Sequence, residues 1–212
     1  MNIMKNCTVK KKAPGRVSGF LGTCGLPAIF LVFLLVSCKT QAKYSPYAPV
    51  AITDRVNYFL LPPQAIEKPL DMLQQLTGRY GEQEFIMDAW VQANERGITI
   101  ALFNSFGAEA GYLAFTDGAV SFFSSVFPPS LKAEYMVADF QFCFYRVDLL
   151  SQALKDSGLT LIVEIRDGLE KSEEVRTIFS GKKPVVEIVK TESAVSLKNF
   201  LRDYSYTLRG IF

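Results

Sequence analysis

Between Phe85 and Val126 the chain offers four runs of strand length, Phe85 to Gln92, Ile98 to Phe103, Tyr112 to Thr116 and Ala119 to Val126. Each is rich in β-branched and aromatic residues, and turn-forming residues separate them. Asn94 to Gly97 closes the first hairpin and Asp117-Gly118 is a two-residue hairpin signal, so these strands should run antiparallel. The pattern resumes at Leu159 to Arg166, where Leu161, Val163 and Ile165 alternate with polar residues. It continues through Glu174 to Phe179, Val185 to Lys190 and Tyr204 to Ile211. Between the two sets, Pro128-Pro129 ends the first, and Ser130 is placed to cap a helix through Asp139 carrying Leu131, Tyr135 and Ala138 on one flank. A second helix should start at Asp148, carry Leu149, Leu150, Ala153 and Leu154, and stop at Gly158. Upstream, Pro69 opens a short helical pattern with Leu70, Leu73 and Leu76 on one side, ending near Gly78. The predicted order is a helix, about four strands, a helical insert and about four strands, an α+β arrangement.

A sheet of this size must cover its apolar face, and two or three short helices are too few for a second full layer. The economical solution is a strongly curved antiparallel sheet, an incomplete, half-open β-barrel with the helices over its concave face. Such a shape tends to enclose a cavity. Hydrophobic residues make up 49% of the chain, and its 17 Phe and 9 Tyr give walls suited to acyl chains. The candidate cavity lining is Phe85, Met87, Trp90, Ile100, Leu102, Leu113, Phe115, Tyr135, Leu161 and Val163. The plainer expectation for the same residues is that they fill the core.

The amino-terminal region has a different logic. Lys5, Lys10, Lys11, Lys12 and Arg16 precede a short apolar run from Leu26 to Val36, no acidic residue occurs before Cys38, and the run closes on Leu35-Val36-Ser37-Cys38. That is the layout of a secretory signal, and the closing tetrapeptide resembles the lipobox of bacterial lipoprotein precursors. The resemblance implies cleavage before Cys38, a diacylglyceryl thioether on its sulfur and an acylated new amino terminus, a tether of several chains. Lys39, in place of a retaining aspartate, implies the periplasmic face of the outer membrane. Residues 1–37 therefore read as a cleaved signal, 38–63 as a lipidated, proline-bearing tether, and 64–212 as the folded domain. Without the leader the chain holds 18 basic and 21 acidic residues, a net charge of −3. No basic stripe is left for phosphates, which weighs against nucleic acid as a partner. Cys143 is then the one cysteine left unmodified, and its setting in Gln141-Phe142-Cys143-Phe144-Tyr145 reads as a buried, inert thiol.

Catalysis finds little support in the residues. The chain has no histidine, the usual base of nucleophilic triads and the commonest zinc ligand. Glu134, Asp139 and Asp148 near the helical insert read as caps or solvated groups, and Glu173-Glu174 and Lys182-Lys183 as solvated turns. Neither a glycine-rich phosphate loop nor a metal-ligand spacing is present, so no cofactor or metal is expected.

Ile98 to Gly107, ending in Asn104-Ser105-Phe106-Gly107 and followed by Tyr112-Leu-Ala-Phe and Asp117-Gly118, resembles the part of LolB-type outer-membrane lipoproteins where a strand ends in Asn-Pro-Leu-Gly. The insert from Leu131 to Phe142, with Leu197-Lys-Asn199 and Tyr204 to Leu208, is similar to a branch of bacterial lipoproteins known as a domain of unknown function and held to share the LolA/LolB fold. The resemblance implies an incomplete barrel that accepts acyl chains, and by position it gives Phe106 the role of the protruding tip residue that assists membrane insertion. It implies a membrane-anchored monomer that accepts lipids or lipoproteins, with a soluble periplasmic LolA-like carrier as a partner. An accessory lipoprotein that binds a lipid-like metabolite, or serves envelope assembly, is the alternative.

Overall fold

The computed structural model describes residues 47, 49–127, 131–167 and 172–210. The leader, Cys38 and the proposed cap Ser130 lie outside the described residues. A hairpin of β1 (Pro49–Thr53) and β2 (Val56–Phe59) comes first, followed by a 3-10 turn at Pro63–Ala65. Then come β3 (Leu70–Tyr80), β4 (Gln83–Asn94), β5 (Gly97–Phe103), β6 (Glu109–Thr116) and β7 (Ala119–Ser124). Two helices follow, α1 (Ala133–Phe144) and α2 (Val147–Asp156). The second strand set is β8 (Thr160–Asp167), β9 (Ser172–Ser180), β10 (Lys183–Lys190), β11 (Ala194–Asn199) and β12 (Tyr204–Gly210).

The ten strands β3 to β12 make one antiparallel sheet in the order β7-β6-β5-β4-β3-β12-β11-β10-β9-β8. Two five-strand meanders thus meet where β3 pairs with β12, Leu76 opposite Leu208. The sheet stays open, with β7 and β8 as its edges, and the helices carry the chain from one edge to the other. The fold class is therefore α+β, as the two strand sets with a helical insert predict.

Period-two alternation decides which face is buried. On β4, Phe85, Met87, Ala89, Val91 and Ala93 point inward, while Glu84, Ile86, Asp88, Trp90 and Gln92 point outward. Ile98, Leu113 and Phe115 from one meander, Ile178, Ile188 and Leu197 from the other, and Phe142, Leu150 and Leu154 from the helices share a single core. The turn signals hold. Asp117 and Gly118 both have positive φ, 51° and 80°, as a type I′ turn requires, and Gly158 follows α2 at φ 80°.

Three expectations are corrected. The segment opened by Pro69 is not a helix but the 11-residue strand β3, paired with β4 along its whole length. The three-residue spacing of Leu70, Leu73 and Leu76 mimics a helical stripe, but Leu70 and Leu76 face the core while Leu73 faces out. Gly78 is not a stop signal: a Cβ there would lie 2.2 Å from Cζ of Phe85, whose ring packs on the glycine. Part of the supposed tether is folded, since Val50, Ile52, Tyr58 and Leu60 are core residues. Pro49 starts a strand and Pro63 starts the 3-10 turn, positions that suit proline for its fixed φ and missing donor. β11 is a further strand, so each half of the sheet has five strands and not the expected four; its buried Val195, Leu197 and Asn199 alternate with polar Ser196 and Lys198.

Candidate functional site

Phe106 stands at the tip of the β5–β6 hairpin with 92% of its surface exposed. Asn104 builds this tip. Its side-chain oxygen accepts from the backbone N–H of Phe106 at 2.9 Å and of Ala108 at 3.0 Å, and its carbonyl accepts from Gly107 N–H at 2.9 Å. Gly107 supplies the left-handed turn at φ +74°. An Asx-type turn therefore holds the loop without a proline at Ser105, and it projects the ring away from the core.

Behind this tip lies the inner face of the sheet. Met87, Leu102, Leu113 and Phe115 are fully buried there, and Phe85, Ile100, Tyr135 and Leu161 pack against them partly buried. These eight of the ten predicted lining residues come together in the hydrophobic core, where Tyr58 meets Phe142 at 5.1 Å between ring centroids and Phe85 meets Phe127 edge-on at 5.4 Å. Trp90 does not belong to the lining. It has the outward parity of β4, is 52% exposed, and its indole N–H donates to Asp71 Oδ1 at 2.9 Å. Val163 shares the inward parity of Leu161 but sits on the edge strand β8, where it is 36% exposed, so it lies at a rim.

The helices are fastened over the inner face by polar groups whose sequence context does not announce their burial or their partners. Gln141 accepts from Tyr58 O–H at 2.8 Å and Leu61 N–H at 2.9 Å and donates to Leu61 O at 2.8 Å, stapling α1 to the segment after β2. Asp139 is a buried carboxylate, not a solvated one. Tyr204 O–H donates to it at 2.6 Å, and burial, the dominant cause, pushes its carboxyl up to about 7. Arg202 lies 4.2 Å over the Tyr135 ring and donates to the carbonyl of Ala51. Beside these groups is a pocket of about 360 Å³, lined by Pro49, Val50, Ala51, Asn57, Lys132, Glu134 and Tyr135. It joins apolar walls to one cation and one carboxylate.

A second cluster sits under the far end of α1. Arg176, wholly buried on β9, donates to the carbonyls of Phe142 at 3.2 Å and Tyr145 at 2.9 Å, to Glu174 at 2.7 Å and to Glu67 at 3.1 Å. Lys190 bridges the same two carboxylates at 3.2 and 3.3 Å. Partial burial raises the pKa of Glu67, but Lys190 and Arg176 together outweigh it and hold the group below the usual range. Glu174 thus belongs to an ion-pair network and not to a solvated turn. Only the surrounding alternation of β9 marks Arg176 as inward, a position where a charge is unexpected.

Cys143 lies on α1 at full burial, and its thiol is pushed up to about 12, by burial first and the Asp139 charge second. Cys143→Ala should cost about 1 kcal/mol, read from urea unfolding of parent and variant, and native protein should resist a bulky thiol reagent at Cys143 until it unfolds, read from a thiol titration with and without denaturant.

An open ten-stranded antiparallel sheet with two helices fastened across one face defines an α+β class with a polar-pinned helical lid. The chain belongs to the DUF3261 family of proteins of unknown function, whose model matches residues 71–210, β3 to β12. No curated protein matches the chain.

Proposed function

We propose that this protein is a lipoprotein anchored through Cys38 to the periplasmic face of the outer membrane, where it binds acyl chains within a half-open barrel and accepts or carries lipids or lipoproteins as LolB-type proteins do. The observation that carries this reading is Phe106, a large apolar side chain held almost fully in water on a hydrogen-bonded tip. An exposed aromatic so placed is suited to entering a membrane interface. Curvature of the sheet supports the half-barrel. α1, 12 residues and about 18 Å long, touches both β7 at one edge and β10 well across the sheet. In a flat sheet those strands would lie about 34 Å apart.

The amphipathic pocket beside α1 offers a headgroup polar contacts from Lys132, Glu134 and Asn57, next to an apolar interior. Acyl chains would pass between similar apolar sites by exchange, with no nucleotide and no covalent chemistry, and a soluble LolA-like carrier would be the donor. This is a binding role and not an enzymatic one.

Two variants test the reading. Phe106→Glu should leave stability within about 0.5 kcal/mol, as for an ordinary surface change, and abolish delivery of acylated cargo to liposomes. Loss of folding, or unimpaired delivery, would overturn the assignment of this tip. Cys38→Ser should accumulate as unprocessed precursor without lipid label; normal processing would refute the anchor. Mass spectrometry of organic extracts from protein purified without its anchor reads occupancy directly.

A further inference from the structure

The outer face of the β3–β7 meander carries an apolar row that neither the core nor the proposed lipid site uses. Leu73 lies opposite Trp90, Trp90 opposite Ala101, Ala101 opposite Tyr112, and Tyr112 opposite Phe123, so five hydrogen-bonded strands each contribute one residue in register. Leu73 is 41%, Trp90 52%, Tyr112 39% and Phe123 60% exposed. The row spans four strand spacings, about 19 Å. Side chains on rigid paired strands lose little freedom on binding, and Trp90 is already oriented by its bond to Asp71.

Charge decides what such a row would meet. The outward positions of these strands bear the carboxylates of Asp71, Glu84, Asp88 and Glu109 and a single cation, Arg79, already paired with Asp203 at 3.3 Å. No lysine is present on these outward positions. An anionic membrane surface attracts rows flanked by Lys and Arg and repels this one. An aromatic centre with a charged rim is instead the anatomy of a protein interface, with Trp and Tyr as its anchors.

We infer that the outer face of β3–β7 is a docking surface for a partner protein that presents an apolar centre rimmed by Lys and Arg. This surface is separate from the inner face and needs no acyl ligand, so it stands or falls apart from the lipid-carrier reading.

The test places p-benzoyl-phenylalanine at position 112 or 123 of the full chain in cells, with position 187 on β10 as a control, and identifies ultraviolet adducts by mass. The expected result is one protein adduct at 112 and 123, absent at 187. Asp88→Lys combined with Glu109→Lys should remove it, and should weaken binding of the purified partner at least tenfold while leaving the melting curve unchanged. If that pair of changes perturbs folding, Asp88→Asn with Glu109→Gln gives the same reading with a smaller effect. Lipid adducts, adducts between two copies of this chain, a protein adduct indifferent to the charge changes, or no adduct would each overturn the inference.

Discussion

Replacing Arg176 by methionine should lower the unfolding free energy by about 3–5 kcal/mol, the cost of removing one partner from a buried ionic network. The guanidinium is wholly inaccessible and donates to four acceptors from three parts of the chain: the end of α1, Glu174 beside it on β9, and Glu67 just after the 3-10 turn. Methionine fills similar volume but satisfies none of them. The carbonyls of Phe142 and Tyr145 would lose their donor at the helix end where the dipole favours a cation, and Lys190 alone would face two carboxylates. Arg176→Lys should recover less than half of the loss, because one ammonium cannot reproduce the planar fork that serves both carbonyls and both carboxylates. Urea unfolding of the three proteins checks the order. A loss below about 1 kcal/mol for Arg176→Met, the level of a typical exposed pair, would show that the network adds little.

Which elements are legible in the sequence follows from which forces are local. The hairpins at Asn94 to Gly97 and Asp117-Gly118 are decided by residues adjacent in sequence, and the alternation on β4 and β9 by nearest neighbours, so those elements are plain in the sequence. β3 is not. Its leucines satisfy a helical spacing, and only pairing with β4 on one side and β12 on the other, a non-local term, makes it a strand. The burial of Val50 and Tyr58 likewise depends on α1, some 80 residues away, whose Gln141 supplies the hydrogen bond that makes a buried tyrosine hydroxyl tolerable. The exposure of Phe106 is legible, because the turn-forming Asn104 and Gly107 bracket it. Trp90 is as apolar as its buried neighbours, but its parity on β4 turns it outward, opposite Leu73. Asp139 looks solvated in sequence, and Tyr204, 65 residues on, is what lets it be buried.

That burial sets the second large effect, a fall in stability as pH rises. Asp139 has a folded pKa raised from 3.8 to about 7, chiefly by desolvation, with the Tyr204 hydrogen bond and Arg202 opposing the rise. Between these values the folded state holds a proton that the unfolded chain has released, so stability declines with pH across this window and levels off above about 7. Below 3.8 both states are protonated and the contribution is fully present. At 1.36 kcal/mol per pKa unit the total is on the order of 4 kcal/mol. Glu67 works in the opposite sense: its lowered pKa contributes stability above the ordinary carboxylate range, lost as pH falls through its folded value. Asp139→Asn separates the two. The amide cannot ionise, yet its oxygen can still accept from Tyr204, so the variant should keep the acid limb and lose the decline between about pH 4 and 7, becoming more stable than the parent at pH 8. Unfolding midpoints at pH 5 and pH 8 for both proteins give the answer: a parallel pH dependence in parent and variant would mean that the Asp139 carboxyl ionises in the folded protein as readily as in the unfolded chain.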